Sequence, residues 1–311
     1  MSMLIPGKIR FCYCFIASSI PLIVNGVNQP FVHRWNNNYR HNSHNNNNNN
    51  NNNNKIFKNF EKLWDDMNTS GRENVLEGVK LSKTFPFSKD DLTKQDESND
   101  SIFYNQPRFV QHIDDNAINA LKSYYEEVLV QNNDESLVVL DLCSSWISHL
   151  PNNFTASKVV GLGMNEEELK ANEQLNEYVV QNINVDAALP FDDNTFDFVL
   201  NAVSVDYITN PQKVFEEIFR ILKPGGVCIN SFSNRCFPSK VVNIWLRTND
   251  TQHMAIVGNY FSSTNFTNIN AYDISPSPGR SDPLYIVQAV KKKEQEEASE
   301  NDKKDVVKNN L

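Results

Sequence analysis

The sequence predicts an α/β protein with a mostly parallel sheet whose two faces are covered by helices. Two observations carry this. Between residues 137 and 232, short apolar runs of strand type alternate with helix-type segments, the pattern of parallel strands joined by crossovers. After residue 265, two further strand-type runs read as a closing antiparallel pair.

In chain order the first element is a helix. Ile113, Ala117, Leu121, Tyr124 and Val128 recur at three- and four-residue steps, with the start near Asp114 or Asp115. LVVLDL at 137–142 predicts the first strand and KVVGL at 158–162 the second. Leu169, Glu173 and Asn176 place a mostly polar helix over 166–180, opened by Asn165. A weak strand is expected at 182–185 and a better one, FDFVL, at 196–200. Residues 211–222 form a well-punctuated helix: Asn210 caps it, Pro211 takes its first position, and Lys223-Pro224-Gly225-Gly226 stops it. A strand follows at 227–232, a helix at 254–261, and the closing pair at 266–274 and 284–290.

Composition excludes several function classes. Six of the 29 Lys and Arg lie in the first sixty residues, which hold no acid, so all 38 carboxylates fall in the rest. A body this acidic is a poor nucleic-acid binder, since phosphate contacts need basic side chains in excess. Ten glycines in 311 residues tell against a fold with several Gly-rich phosphate loops. Cys143, Cys228 and Cys236 show no C-x-x-C spacing, so neither a zinc ribbon nor a disulfide framework is expected; no metal site is, and a reducing compartment is.

The N-terminal region reads as an address. Lys8 and Arg10 precede the apolar run 11–24, the layout of a signal peptide over 1–26. Residues 27–60 are Asn-rich, basic and acid-free, with ten consecutive asparagines at 45–54, and resemble a transit peptide. In tandem the two resemble the presequences of proteins sent to complex plastids; secretion or an endomembrane location is the alternative. Residues 61–100 read as a linker, and the charged tail 294–311 as disordered. No apolar run is long enough for a mature membrane span.

In open α/β sheets ligands bind at the carboxyl ends of the strands. The residues there are Asp141–Ser145, Gly161–Asn165, Asp186–Ala188 and 201–207. Three stretches, VVLDL (138–142), DAALPFDDNTFDFV (186–199) and VFEEIFRILKPGGVCINSF (214–232), resemble class I S-adenosylmethionine-dependent methyltransferases of the small-molecule type. The resemblance implies a Rossmann-like domain over about 101–293 with a seven-stranded sheet, S-adenosylmethionine as cofactor and a small-molecule methyl acceptor. It implies that Asp141 fixes the loop beneath the cofactor's methionine end, formed by Cys143, Ser144, Ser145 and the residues after them. Gly163, Met164 and Asn165 fall by the ribose and adenine, Asp186 and Ala187 by the adenine, and Asn201 below the sulfonium. Asp206, Tyr207 and, from the helix-entry segment, His112 face the acceptor. Asp206 either takes a proton from the acceptor or caps the turn after its strand. Phe103-Tyr-Asn-Gln-Pro-Arg108, with His112 and Asp114, is dense in functional side chains where relatives cover the cofactor pocket.

The chain departs from the family pattern twice. Cys143, Ser145 and Ile147 stand where relatives carry glycines, and Ile147 is β-branched, ill suited to a positive φ. Gly163 stands where relatives place the acid that accepts from the ribose hydroxyls, leaving Asn165 or Glu166 as substitutes. These departures keep open a methyltransferase-fold scaffold with weak or no cofactor binding. Gly161-x-Gly163-x-x-Glu166 keeps open an NAD(P)-dependent reductase, although acids at the helix start oppose a pyrophosphate.

Overall fold

A computed structural model describes residues 71–130 and 136–292, so the segments 1–26 and 27–60 and the tail 294–311 lie outside the described residues. Five strands run parallel: β1 (Val138–Leu142), β2 (Lys158–Gly163), β3 (Glu177–Val180), β4 (Phe196–Ala202) and β5 (Leu222–Phe232). Two more, β6 (Phe266–Asp273) and β7 (Tyr285–Lys291), are antiparallel, with β7 inserted between β5 and β6. The sheet order is β3-β2-β1-β4-β5-β7-β6. This is the Rossmann-like arrangement expected from the sequence, and the order reverses beside β1, where β4 takes the flank opposite β2.

Period-2 alternation explains why both faces need helices. On one face Val139, Phe198, Leu200 and Ile229 pack with Leu121, Tyr124 and Tyr125 of helix α2 (Asp115–Tyr125, reached after the short helix α1, Asp100–Phe103). On the other, Leu140, Val199 and Cys228 join Phe215 and Ile218 of α4 (Pro211–Ile221) and Tyr260 and Phe261 of α6 (Asp250–Ser262). Helices α3 (Glu166–Ala171) and α5 (Asn243–Leu246) lie between them in sequence. Asp114 caps α2 by accepting from the Ala117 amide, and also accepts from the Asp282 amide ahead of β7.

The third strand corrects the sequence expectation. The helix opened by Asn165 ends at Ala171 instead of running to 180, because Asn172 leaves helical geometry at φ −81° and ψ 99°. Its side-chain amide donates to the Ser145 carbonyl and Ser148 hydroxyl. Asn176 then accepts from the Val159 amide, and Glu177–Val180 pairs with β2. Residues 182–185, expected as strand, instead form a turn at 183–185, with Asn182 accepting from the Asn184 amide.

Residues 71–100 do not behave as a linker. The Val75 amide donates to the Ala271 carbonyl at 2.9 Å and Asn74 accepts from the Ala271 amide, tying the segment to β6. Leu76 is buried against Gly258, where an added Cβ would meet it at 2.9 Å. Phe85 and Phe87 pack on Tyr260. Lys94 bridges to Val242 through the backbone, and its Nζ lies 2.7 Å from both carboxylate oxygens of Asp100. Lys240, 1 % exposed, donates to Ser98 and pairs with Asp96 at 2.9 Å and Asp100 at 3.4 Å. This cluster fastens residues 94–100 to residues 240–242, whose Val242 amide donates to the Asp206 carbonyl in the turn after β4.

Candidate active site

The loop leaving β1 is organised by Asp141. This carboxylate, 4 % exposed, accepts from the Ser144 hydroxyl at 2.6 Å and the Ser148 hydroxyl at 2.7 Å. Burial pushes it up to about 6, against the lowering effect of the two hydroxyls. The loop makes its sharp bends at two non-glycine residues, Cys143 (φ 60°) and His149 (φ 56°), whereas Ile147 has no positive φ. Each left-handed residue with a Cβ costs roughly 1–2 kcal/mol. The bend at Cys143 is held by the hydrogen bonds around Asp141 and by the Ser144 amide donating to the Leu162 carbonyl at 2.8 Å.

At the end of β2 the space beside Gly163 is filled by the chain itself. A Cβ there would collide with the Ser144 carbonyl, so no carboxylate side chain fits at 163 with the loop in this conformation. The polar groups nearby are engaged. Asn165 accepts from the Glu167 and Glu168 amides as the cap of α3 and donates to the Tyr104 and Asn105 carbonyls. Glu166 pairs with Lys170 at 2.9 Å. Glu168 accepts from the Ser145 hydroxyl at 2.5 Å and the Arg108 amide at 2.7 Å. Loop 143–148, the start of α3 and residues 104–110 thus form one connected layer, to which Trp146 adds a bond to the Val110 carbonyl.

The end of β4 is different, because buried polar atoms are left unspent. Asn201 is fully buried; its amide donates to the Leu142 carbonyl at 3.2 Å, and its Oδ1 has no hydrogen-bond partner. The Cys143 thiol lies against Asn201 and is pushed up to about 12 by burial, with the charges of Asp141 and Asp206 acting the same way. Asp206, 3 % exposed in the single turn Val205–Tyr207, faces Tyr104, Cys143, Tyr207 and Tyr260, and burial pushes it up to about 8. It is therefore a neutral acid at pH 7, with only its own amide as a hydrogen-bonding offset. The Tyr207 hydroxyl accepts from the Phe237 amide at 2.8 Å. Over this end lies an aromatic wall in which the Phe237 ring meets Phe103, His112 and Tyr207. His112 is pulled down by burial, opposed by the Glu168 charge.

The family model described as a methyltransferase domain matches residues 142–230, which run from the end of β1 through most of β5. Residues 142–230 are thus similar to a methyltransferase domain. S-adenosylmethionine is the cofactor of this domain family. The chain is 38 % identical over 110 residues to a demethylmenaquinone methyltransferase of Lactococcus lactis, covering 30 % of this chain and 42 % of that one. It is 36 % identical over 84 residues to a sterol 24-C-methyltransferase of Schizosaccharomyces pombe, covering 24 % and 21 %. The chain thus spans less than half the length of these curated relatives. Among solved structures it is similar to an S-adenosylmethionine-dependent methyltransferase described as putative from Listeria monocytogenes, with a TM-score of 0.40 and 16 % identity over 56 % of this chain and 99 % of that one.

The expected site residues divide into two groups. Asp141, Cys143, Ser144, Asn201, Asp206 and Tyr207 gather at the carboxyl ends of β1 and β4, with His112 in the wall above. Ser145 turns away to Glu168, while Asn165 is a helix cap. Met164 follows β2 directly and is half-buried. Asp186 is exposed and forms its own turn, accepting from the Ala188 amide at 3.0 Å, with Ala187 beside it. Cys143 and His149 share no hydrogen bond among the described residues, so no thiol–imidazole pair forms. The residue with no role assigned from sequence is Arg108, because a single arginine before a helix carries no pattern of its own.

Proposed function

We propose that this chain transfers a methyl group from S-adenosylmethionine to a small-molecule acceptor. The observation that carries the reading is the unpaired, fully buried Asn201 Oδ1 at the end of β4, beside Cys143 and Asp206, within a matched methyltransferase domain. An orphaned buried acceptor calls for a donor, and the cofactor's ammonium group supplies one. The fit is good at this end and altered at the other. Asn201 and the backbone of Cys143, Ser144 and Ser145 would hold the amino-acid end, with Asp141 fixing the loop. Met164 would border the adenine, with Asp186 and Ala187 approaching from the third strand's exit. The ribose carboxylate that the resemblance implies is absent at Gly163; of the substitutes, Asn165 is committed as the cap of α3 and Glu166 to Lys170.

When bound, the cofactor supplies a methyl group already activated by its sulfonium, so the protein's work is positioning and keeping water out. Asp206 holds a proton below about pH 8, which suits hydrogen bonding to an acceptor oxygen or nitrogen, and accepts one above it. Tyr207 and His112 would border the acceptor from either side of Phe237.

Calorimetric titration with S-adenosylhomocysteine tests the reading. Wild type is expected to bind, and Asn201→Leu to bind at least about tenfold more weakly with unchanged circular dichroism. A scaffold role is the second reading, favoured by the Ser144 carbonyl filling the space beside Gly163. Failure of the wild type to bind at millimolar concentration establishes it. We further propose a plastid location, supported by the signal-like and transit-like order of residues 1–60. No helix among the described residues is long and apolar enough to cross a membrane.

A further inference from the structure

Arg108 is a cation with an unfilled valence in the wall above Asp206. Its guanidinium stacks over the Phe103 ring at 4.1 Å and lies 5.4 Å from Phe237 and 5.6 Å from Tyr104. Nη2 donates to the Phe103 carbonyl at 2.9 Å, and Nη1 is buried with no hydrogen-bond partner. A guanidinium nitrogen is a donor only, and leaving one buried and unpaired is costly.

The nearby acids do not fill it. Asp100 is spent on Lys94, Lys240 and the Asn184 amide. Glu168 uses its two oxygens on the Ser145 hydroxyl and on the backbone amide of Arg108, not its side chain. Asp206 is a neutral acid. The remaining neighbours, Phe103, Tyr104, His112 and Phe237, offer flat faces.

We propose that Arg108 is the anchor of the acceptor subsite and that it takes a carboxylate on a planar body: one oxygen of the acid fills Nη1, and the body lies along the Phe103, Tyr104, His112 and Phe237 wall. Charge-assisted hydrogen bonds to guanidinium are the strong ones, and the stacked rings orient its free edge. This rests on the methyl-transfer reading only for the word acceptor; the subsite itself stands on the contacts of Arg108.

The test uses benzoate as the smallest planar acid and benzamide as its neutral counterpart, titrated by calorimetry into the full chain with and without S-adenosylhomocysteine. Benzoate is expected to bind at least about tenfold more tightly than benzamide. Arg108→Met should erase that difference, Arg108→Lys should retain part of it, and S-adenosylhomocysteine affinity should be the same in all three proteins. Equal binding of acid and amide, no benzoate binding at millimolar concentration, or undiminished benzoate binding in a folded Arg108→Met overturns the proposal. If the wild type binds benzoate selectively but not S-adenosylhomocysteine, the anion subsite holds and the methyl-transfer reading falls.

Discussion

Asp206 couples the site to stability as well as to chemistry. Its carboxyl titrates near 3.8 outside the fold and about 8 within it. Between those values the folded chain carries a proton that the unfolded chain has released, so this residue makes stability fall as pH rises from about 4 to 8. Asp141 acts in the same direction over a narrower window, ending near 6. Asp206→Asn keeps a neutral polar group of similar size at all pH values. It is expected to leave the melting temperature unchanged at pH 4 and raise it at pH 8, by ~2–4 °C for each kcal/mol released. Calorimetric melting curves at the two pH values check this, and a variant less stable at pH 8 contradicts it. At this scale the sequence was informative where a residue ends a strand: Asp141 and Asn201 lie where alternation and strand ends put them. It placed Arg108 in a segment dense in functional side chains but gave it no role, since its partner Glu168 lies sixty residues on, and it did not show that the loop's second bend falls at His149.

At the scale of elements, apolar runs made β1, β2, β4 and β5 legible, and Pro211 with the Lys-Pro-Gly-Gly stop made α4 so. The third strand was misplaced because its apolar content is only Tyr178, Val179 and Val180, half of it exposed, as befits an edge. Its position is set by asparagine side chains bonding across the fold, a signal that periodicity does not carry. The segment 71–100 was unreadable for a related reason: Leu76, Phe85 and Phe87 are sparse in sequence and pack against Gly258 and Tyr260 of α6, far along the chain. Its attachment is testable through the Lys94–Asp100–Lys240 cluster. Asp100→Asn leaves the buried Lys94 without the carboxylate it pairs with and Lys240 with Asp96 alone, and removing one member of a buried ion pair typically costs about 3–5 kcal/mol. Urea unfolding should show a loss of that order, and a change under about 1 kcal/mol would mean that water reaches the cluster.

For the whole molecule, the division between an acid-free first sixty residues and an acidic body is the largest-scale pattern in the chain. On the plastid proposal, the mature protein starts well after the asparagine run. Mass spectrometry of the N-terminus isolated from the native source should find it beyond about residue 60; peptides from 27–54 in the mature protein contradict it. The fold class followed from patterning alone because a sheet covered on both sides needs strands that are apolar throughout, and these are conspicuous in a polar chain.

The attachment of residues 71–100 also dictates an order of events at the ribosome. Asn74 and Val75 find their partners at Ala271, and Lys94 finds Val242, so these early residues leave the exit tunnel long before the strand and loop they bind. The parallel strands can associate as they emerge, but residues 94–100 cannot dock until Lys240 and Val242 are made, nor residues 74–75 until Ala271 is. Nascent chains halted before residue 237 would therefore lack the ring that Phe103, His112 and Tyr207 meet, while residues 104–110 already hold the start of α3. The aromatic wall is then completed only once Phe237 has emerged, after every parallel strand and ahead of the closing antiparallel pair.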